Sequence, residues 1–142
     1  MKSMVENKSN IHVIEATRQL EDYYAAADCL IFASEEETMP LVLQEAALLG
    51  IPRIVSMYAG YMELIPSEDY AFLFPTGDIS ALKDRMEFFI QNTEKAMAVA
   101  ERAKKFQVEK LQENDTSLLD LIQFVYQNRF SMQPNEWSNE ND

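Results

Sequence analysis

One acidic residue inside an apolar helix constrains this chain most. Residues 33–56 read ASEEETMPLVLQEAALLGIPRIVS. Pro40 can open a helix, because its missing N–H would be unbonded in the first turn anyway. Gly50 and Pro52 close it. At about 100° per residue, the apolar side chains of residues 41–49 point nearly all the way round, which is the pattern of a buried helix. Glu45 falls angularly between Leu41 and Leu49. A buried carboxylate is costly without hydrogen-bond partners. Glu45 must therefore reach the lip of a cleft, be paired, or be bound by something.

The surrounding pattern alternates strand and helix. Residues 11–14, Ile-His-Val-Ile, form a β-branched run after a polar start and predict a strand. Thr17 can cap a helix from Arg18 to Ala27, with an apolar stripe of Leu20, Tyr23, Tyr24 and Ala27. Residues 29–33 predict a strand buried on both faces. After the Glu45 helix come a strand over residues 53–57 and a weaker one over 71–74. Such alternation argues an α/β fold: a Rossmann-like parallel sheet of about four strands, right-handed crossovers and flanking helices. The C-terminal third is helical. Asp78 caps a helix over 79–91, Thr93 opens one to about Gln112, and Asp115 or Thr116 opens another to about Asn128. The domain is expected to span 1–130, with 131–142 a disordered acidic tail. Trp137 in that tail reads as part of a frayed end or as a docking anchor.

Charge and composition exclude several classes. Lys+Arg number 12 against 24 Asp+Glu, a formal charge of −12. That argues against nucleic-acid binding, which needs a basic face, and against an anionic membrane surface. No apolar run approaches the roughly 20 residues of a transmembrane helix, and the N-terminus has no signal-peptide core. The one cysteine, Cys29, can form no internal disulfide. The expected location is the cytoplasm.

Several motifs then occur in order. They are Tyr24-Ala25-Ala26-Ala27-Asp28, Ala33-Ser34, Glu37 and Glu45 with seven residues between them and Ala46 following, and Gly50-Ile51-Pro52. Ala59-Gly60-Tyr61-Met62-Glu63 and Pro75-Thr76-Gly77-Asp78 complete the series. From residue 11 to about 126 the chain resembles the later part of the nucleotide-sugar-binding C-terminal domain of GT-B glycosyltransferases, specifically the retaining family 4. The resemblance implies that Glu45 holds the ribose hydroxyls of a nucleotide sugar, such as a UDP- or GDP-sugar. It gives Glu37 the catalytic position, on the hydroxyls of the transferred sugar. It turns the backbone of Thr38, Met39, Leu41 and Val42 toward sugar and phosphates. The chemistry suits these residue types: carboxylates accept paired hydroxyls, and a helix N-terminus offers N–H groups and partial positive charge to phosphate. The resemblance implies no metal and no other cofactor.

Plainer readings stand beside these. Glu35-Glu36-Glu37 is a run that elsewhere is solvated or favours a helix start. Glu63 and Asp78 suit a helix carboxylate and an N-cap. His12 suits core packing, and Cys29 a small buried hydrophobe. The chain also departs from the family pattern. Thr38-Met39-Pro40 stands where glycines let the backbone approach the ligand, and Ala59-Gly60 replaces a Gly-Gly pair. The family's basic pair for the diphosphate has no counterpart, since Arg18 and Arg53 do not match it. In the family's strand order 3-2-1-4-5-6, two strands lie between those matching residues 11–14 and 29–33. Either these pair directly, or an upstream domain or partner chain fills the gap. An uncovered edge would invite self-association into a homo-oligomer. Two functions follow: a glycosyltransferase sugar-donor domain whose isolated chain is inactive, or a non-catalytic glycosyltransferase-like module acting through protein contacts.

Overall fold

The computed structural model describes residues 8–15, 17, 20–37, 40–58 and 61–114, with the side chains of 63, 113 and 114 set aside. The elements run α1 (Leu20–Ala26), β1 (Leu30–Phe32), α2 (Leu41–Leu48), β2 (Arg53–Met57), a 3₁₀ turn (Tyr61–Glu63), β3 (Phe72–Pro75), α3 (Ile79–Gln91) and α4 (Thr93–Asn114). The sheet has three strands in the order β1-β2-β3, and both pairs are parallel. Leu30 lies opposite Arg53, and Ile54 opposite Phe72. The expected helix over residues 115–128, the tail and Trp137 lie outside the described residues.

Both faces of the sheet are covered. On one, Leu43 of α2 packs with Val55, Leu73, Tyr58, Ile65 and Ala71. On the other, Ile54, Phe72 and Phe74 meet Ala96 and Val99 of α4 and Leu82 and Phe89 of α3. Leu48 of α2 closes against Leu111 of α4. The apolar run of β2 follows from this sandwich: residues 53–56 are buried on both sides.

Arg53 is the unusual member of that strand. It is 2% exposed. Its guanidinium donates to the Leu43 carbonyl at 2.8 Å and the Tyr70 carbonyl at 2.9 Å. Its Nε has no partner. One side chain thus ties α2 and the approach to β3 onto β2. Burial brings its pKa down to about 10.

Local signals set the helix ends. The α2 terminus carries two reversed bonds, Gly50 N–H to Ala47 O at 2.9 Å and Ile51 N–H to Ala46 O at 2.8 Å. That is a Schellman arrangement, and it needs a left-handed residue. Gly50 supplies it with φ +71°. Asp78 caps α3 as expected, its Oδ1 accepting from the Ala81 N–H at 2.9 Å.

Several expectations are corrected. Residues 11–14 form no strand, and Ile11, Val13 and Ile14 are exposed. A β-branched run becomes a strand only when another strand pairs with it, and none among the described residues does. His12 is exposed as well, not packed in a core. β1 is an edge strand rather than doubly buried, with Ile31 41% exposed. α1 buries no residue, and its expected stripe leaves Leu20 and Tyr23 open. α2 is not buried all round, because Leu41 is 59% exposed.

Three substitutions test these contacts. Arg53→Ala is expected to cost about 2–4 kcal/mol, from two lost hydrogen bonds to a charged group and an emptied volume. Arg53→Met fills the space without the charge and should cost less. Gly50→Ala should cost about 1–2 kcal/mol, because a Cβ disfavours the left-handed region. Urea midpoints read all three.

Candidate functional site

The carboxyl ends of β1 and β2 and the N-terminus of α2 converge on one rim of the sheet, where open parallel sheets bind ligands. The rim is stitched together by side chains. The Ser56 hydroxyl, at the end of β2, donates to the Ser34 carbonyl at 2.5 Å, beyond the end of β1. The Thr76 hydroxyl donates to the Met57 carbonyl at 2.6 Å, joining β3 to β2. Pro40 is buried at the N-cap of α2 in an extended conformation. It offers no side-chain cap and has no N–H of its own. Leu41 and Val42 then present the first-turn N–H groups that precede helical bonding.

Glu37 is exposed in the loop between β1 and α2. Its charge acts on Tyr58, which follows β2. Burial first, and Glu37 second, push the Tyr58 hydroxyl above its ordinary pKa. Glu45 is half-buried one turn into α2, and its partner comes from α1. The Tyr24 hydroxyl donates to Glu45 Oε2 at 2.6 Å. The apolar setting of Glu45 thus resolves into a pairing, while Oε1 has no hydrogen bond among the described residues. Glu45 is thus hydrogen-bonded by Tyr24, whereas Glu37 acts on Tyr58 through its charge. Thr38 and Met39, Arg18, the Ala59-Gly60 pair and the Glu63 side chain lie outside the described residues.

Neither tyrosine was marked as a site residue by the sequence. In the sequence Tyr24 belongs to a packing stripe, and Tyr58 stands one residue past the expected strand over 53–57. A hydroxyl's partner is set by tertiary approach, and no spacing along the chain encodes it.

A cavity among the described residues lies elsewhere, at the amino ends of the strands. It has about 270 Å³ and is lined by Tyr24, Ile51, Pro52, Phe89, Thr93 and Met97 among others. It is largely apolar and shares only Tyr24 with the carboxylate sites. Fixed hydroxyl and carboxylate groups suit a polyhydroxylated phosphate ligand better than this apolar hollow does. The rim is therefore the candidate site. Among the described residues no group of His, Cys, Asp and Glu is arranged to hold a metal ion, and no helix is long and apolar enough to cross a membrane.

The Tyr24–Glu45 bond gives a pH test. Burial, the hydrogen bond and the Glu45 charge raise the Tyr24 pKa in the folded chain. A raised folded pKa means stability present in full below the unfolded value of about 10 and lost as the pH rises above it. Tyr24→Phe is therefore expected to cost about 1 kcal/mol at neutral pH. The gap from wild type should shrink in denaturation curves taken above pH 10.

Comparison with known proteins now places the chain. The family model described as "Glycosyl transferases group 1" matches residues 2–106. Sulfoquinovosyl transferase SQD2 of Arabidopsis thaliana is 27% identical over 90 residues, covering 61% of this chain and 18% of that protein. N-acetyl-alpha-D-glucosaminyl L-malate synthase of Bacillus anthracis is 31% identical over 81 residues, 57% of this chain and 21% of that protein. The chain spans between 18% and 23% of the curated relatives it matches. Among solved structures, Anabaena HepE in complex with UDP-glucose superposes with a TM-score of 0.71 at 21% identity, over 92% of this chain and 35% of that one. Sucrose-phosphate synthase of Thermosynechococcus elongatus gives 0.71 at 21% identity, over 92% and 33%. The match takes in all three strands, both crossovers and both carboxylates; the chain belongs to the group 1 glycosyltransferases and has the fold of their GT-B C-terminal domain.

Proposed function

We propose that this chain binds the nucleotide-sugar donor of a retaining glycosyltransferase, at the rim formed by β1, β2 and the start of α2. The observation that carries the reading is the half-buried Glu45, held in place by Tyr24 through one oxygen with the other available for a ribose hydroxyl. In this reading the Glu45 carboxylate receives the ribose. Glu37, in the exposed loop beyond β1, takes the hydroxyls of the transferred sugar and holds its reacting carbon in place. The first-turn N–H groups of Leu41 and Val42, with the backbone of Thr38 and Met39, face the diphosphate. The HepE structures, in complex with UDP-glucose and with UDP, support a uridine nucleotide as the first ligand to test.

Binding and turnover separate in this reading. Orienting a sugar donor is only part of transfer, since the acceptor must be held in line as well. This chain spans about a third of the glycosyltransferase structures it resembles. We expect the isolated chain to bind donor weakly and to transfer nothing until upstream polypeptide or a partner chain completes the site.

The second reading, a non-catalytic module, has one specific observation in its favour. Pro40 puts a side chain and a missing N–H where phosphate would meet the helix. Calorimetric titration of the chain with UDP, GDP and ADP separates the two readings. The donor-site reading expects selective binding of one nucleotide, UDP first, and at least about tenfold loss in Glu45→Ala. Absence of binding to all three at millimolar concentration favours the protein-contact module.

A further inference from the structure

Tyr58 carries a buried hydroxyl that the fold does not use. The residue is 4% exposed. Its ring stacks at a tilt on Phe32, 5.8 Å away, and on Tyr61, 6.1 Å away. It shares a core cluster with Leu43 in the first turn of α2 and with Val55 and Leu73 of the sheet. Those are contacts that a phenylalanine would make equally well. The hydroxyl itself has no hydrogen-bond partner among the described residues. Buried tyrosine hydroxyls ordinarily find one, because an unmet polar group in the interior is costly. The residue also sits one position beyond β2, on the same rim as Glu37 and the start of α2, and Glu37 is close enough for its charge to act on the hydroxyl. The orphan group therefore belongs to a residue of the candidate rim and not to a remote part of the core.

The chemistry of the missing partner can be narrowed. Burial and the nearby Glu37 both keep the phenol protonated, so it serves as a donor. Its complement is an acceptor, and phosphate oxygens are acceptors throughout at neutral pH. Among the described residues the donors this rim offers to a diphosphate are neutral: the first-turn N–H groups of α2 and one phenol. We infer that the Tyr58 hydroxyl donates a hydrogen bond to a phosphate oxygen of the bound nucleoside diphosphate. The inference rests on the sugar-donor reading above and adds to it a contact that the family motifs do not carry.

The test is Tyr58→Phe in the full chain, titrated with uridine, UDP and UDP-glucose beside wild type, with a thermal melt of each protein. UDP and UDP-glucose are each expected to bind about tenfold more weakly to the variant, with uridine unchanged. The melting temperature should hold or rise, since the substitution removes an unmet hydroxyl and keeps the ring. Equal UDP affinity in the two proteins overturns the inference. A loss confined to UDP-glucose also overturns it, by moving the contact to the sugar. A fall of several degrees in the melt overturns it differently, by showing the hydroxyl to be structural. Wild type that binds none of the three ligands contradicts the sugar-donor reading itself, and this inference with it.

Discussion

The buried middle strand organises the rest of the structure. β2 is paired on both edges and covered on both faces, and it carries a polar group at each end. At its start Arg53 holds the Leu43 and Tyr70 carbonyls, which sets α2 and the approach to β3 against the sheet. Near its end the Ser56 hydroxyl holds the Ser34 carbonyl, which fixes the exit of β1. Glu37 and the start of α2 follow that exit within a few residues. A polar side chain in a parallel strand is thus the reason the rim has a shape.

The partnership of Glu45 shows how an expensive residue is accommodated. A carboxylate in an apolar helix would be destabilising alone. α1 contributes almost nothing to the core, burying no residue, yet it brings one hydroxyl to Glu45. The same tyrosine ring lines the apolar cavity at the other end of the sheet. Tyr24 therefore links the two ends of the molecule, and a shift in α1 would be felt by Glu45.

The elements legible from the sequence were those with local causes. Gly50 ends α2 because a left-handed turn needs it, and Asp78 starts α3 because its carboxylate reaches an N–H three residues on. β2 was legible through its apolar run, and α4 through Thr93 at its start. What was misread depended on neighbours. Residues 11–14 have the composition of a strand but no strand beside them, and residues 29–33 have the composition of a central strand but lie at an edge. Composition records what a segment tolerates, whereas pairing decides what it becomes. In the site, the positions of Glu37 and Glu45 were visible as a spacing. Their tyrosine companions were not, because Tyr24 and Glu45 are 21 residues apart and meet only in the fold.

The account stands on where a nucleotide binds, and amide-resolved NMR of the chain with UDP addresses this directly. Two places among the described residues can be compared: the carboxylate rim and the apolar cavity at the opposite end. Shifts concentrated at residues 34–37, 41–45 and 56–58, with residues 93–97 unmoved, are the result expected of a sugar-donor domain. Shifts concentrated at residues 49–52 and 93–97, with the rim silent, would contradict it.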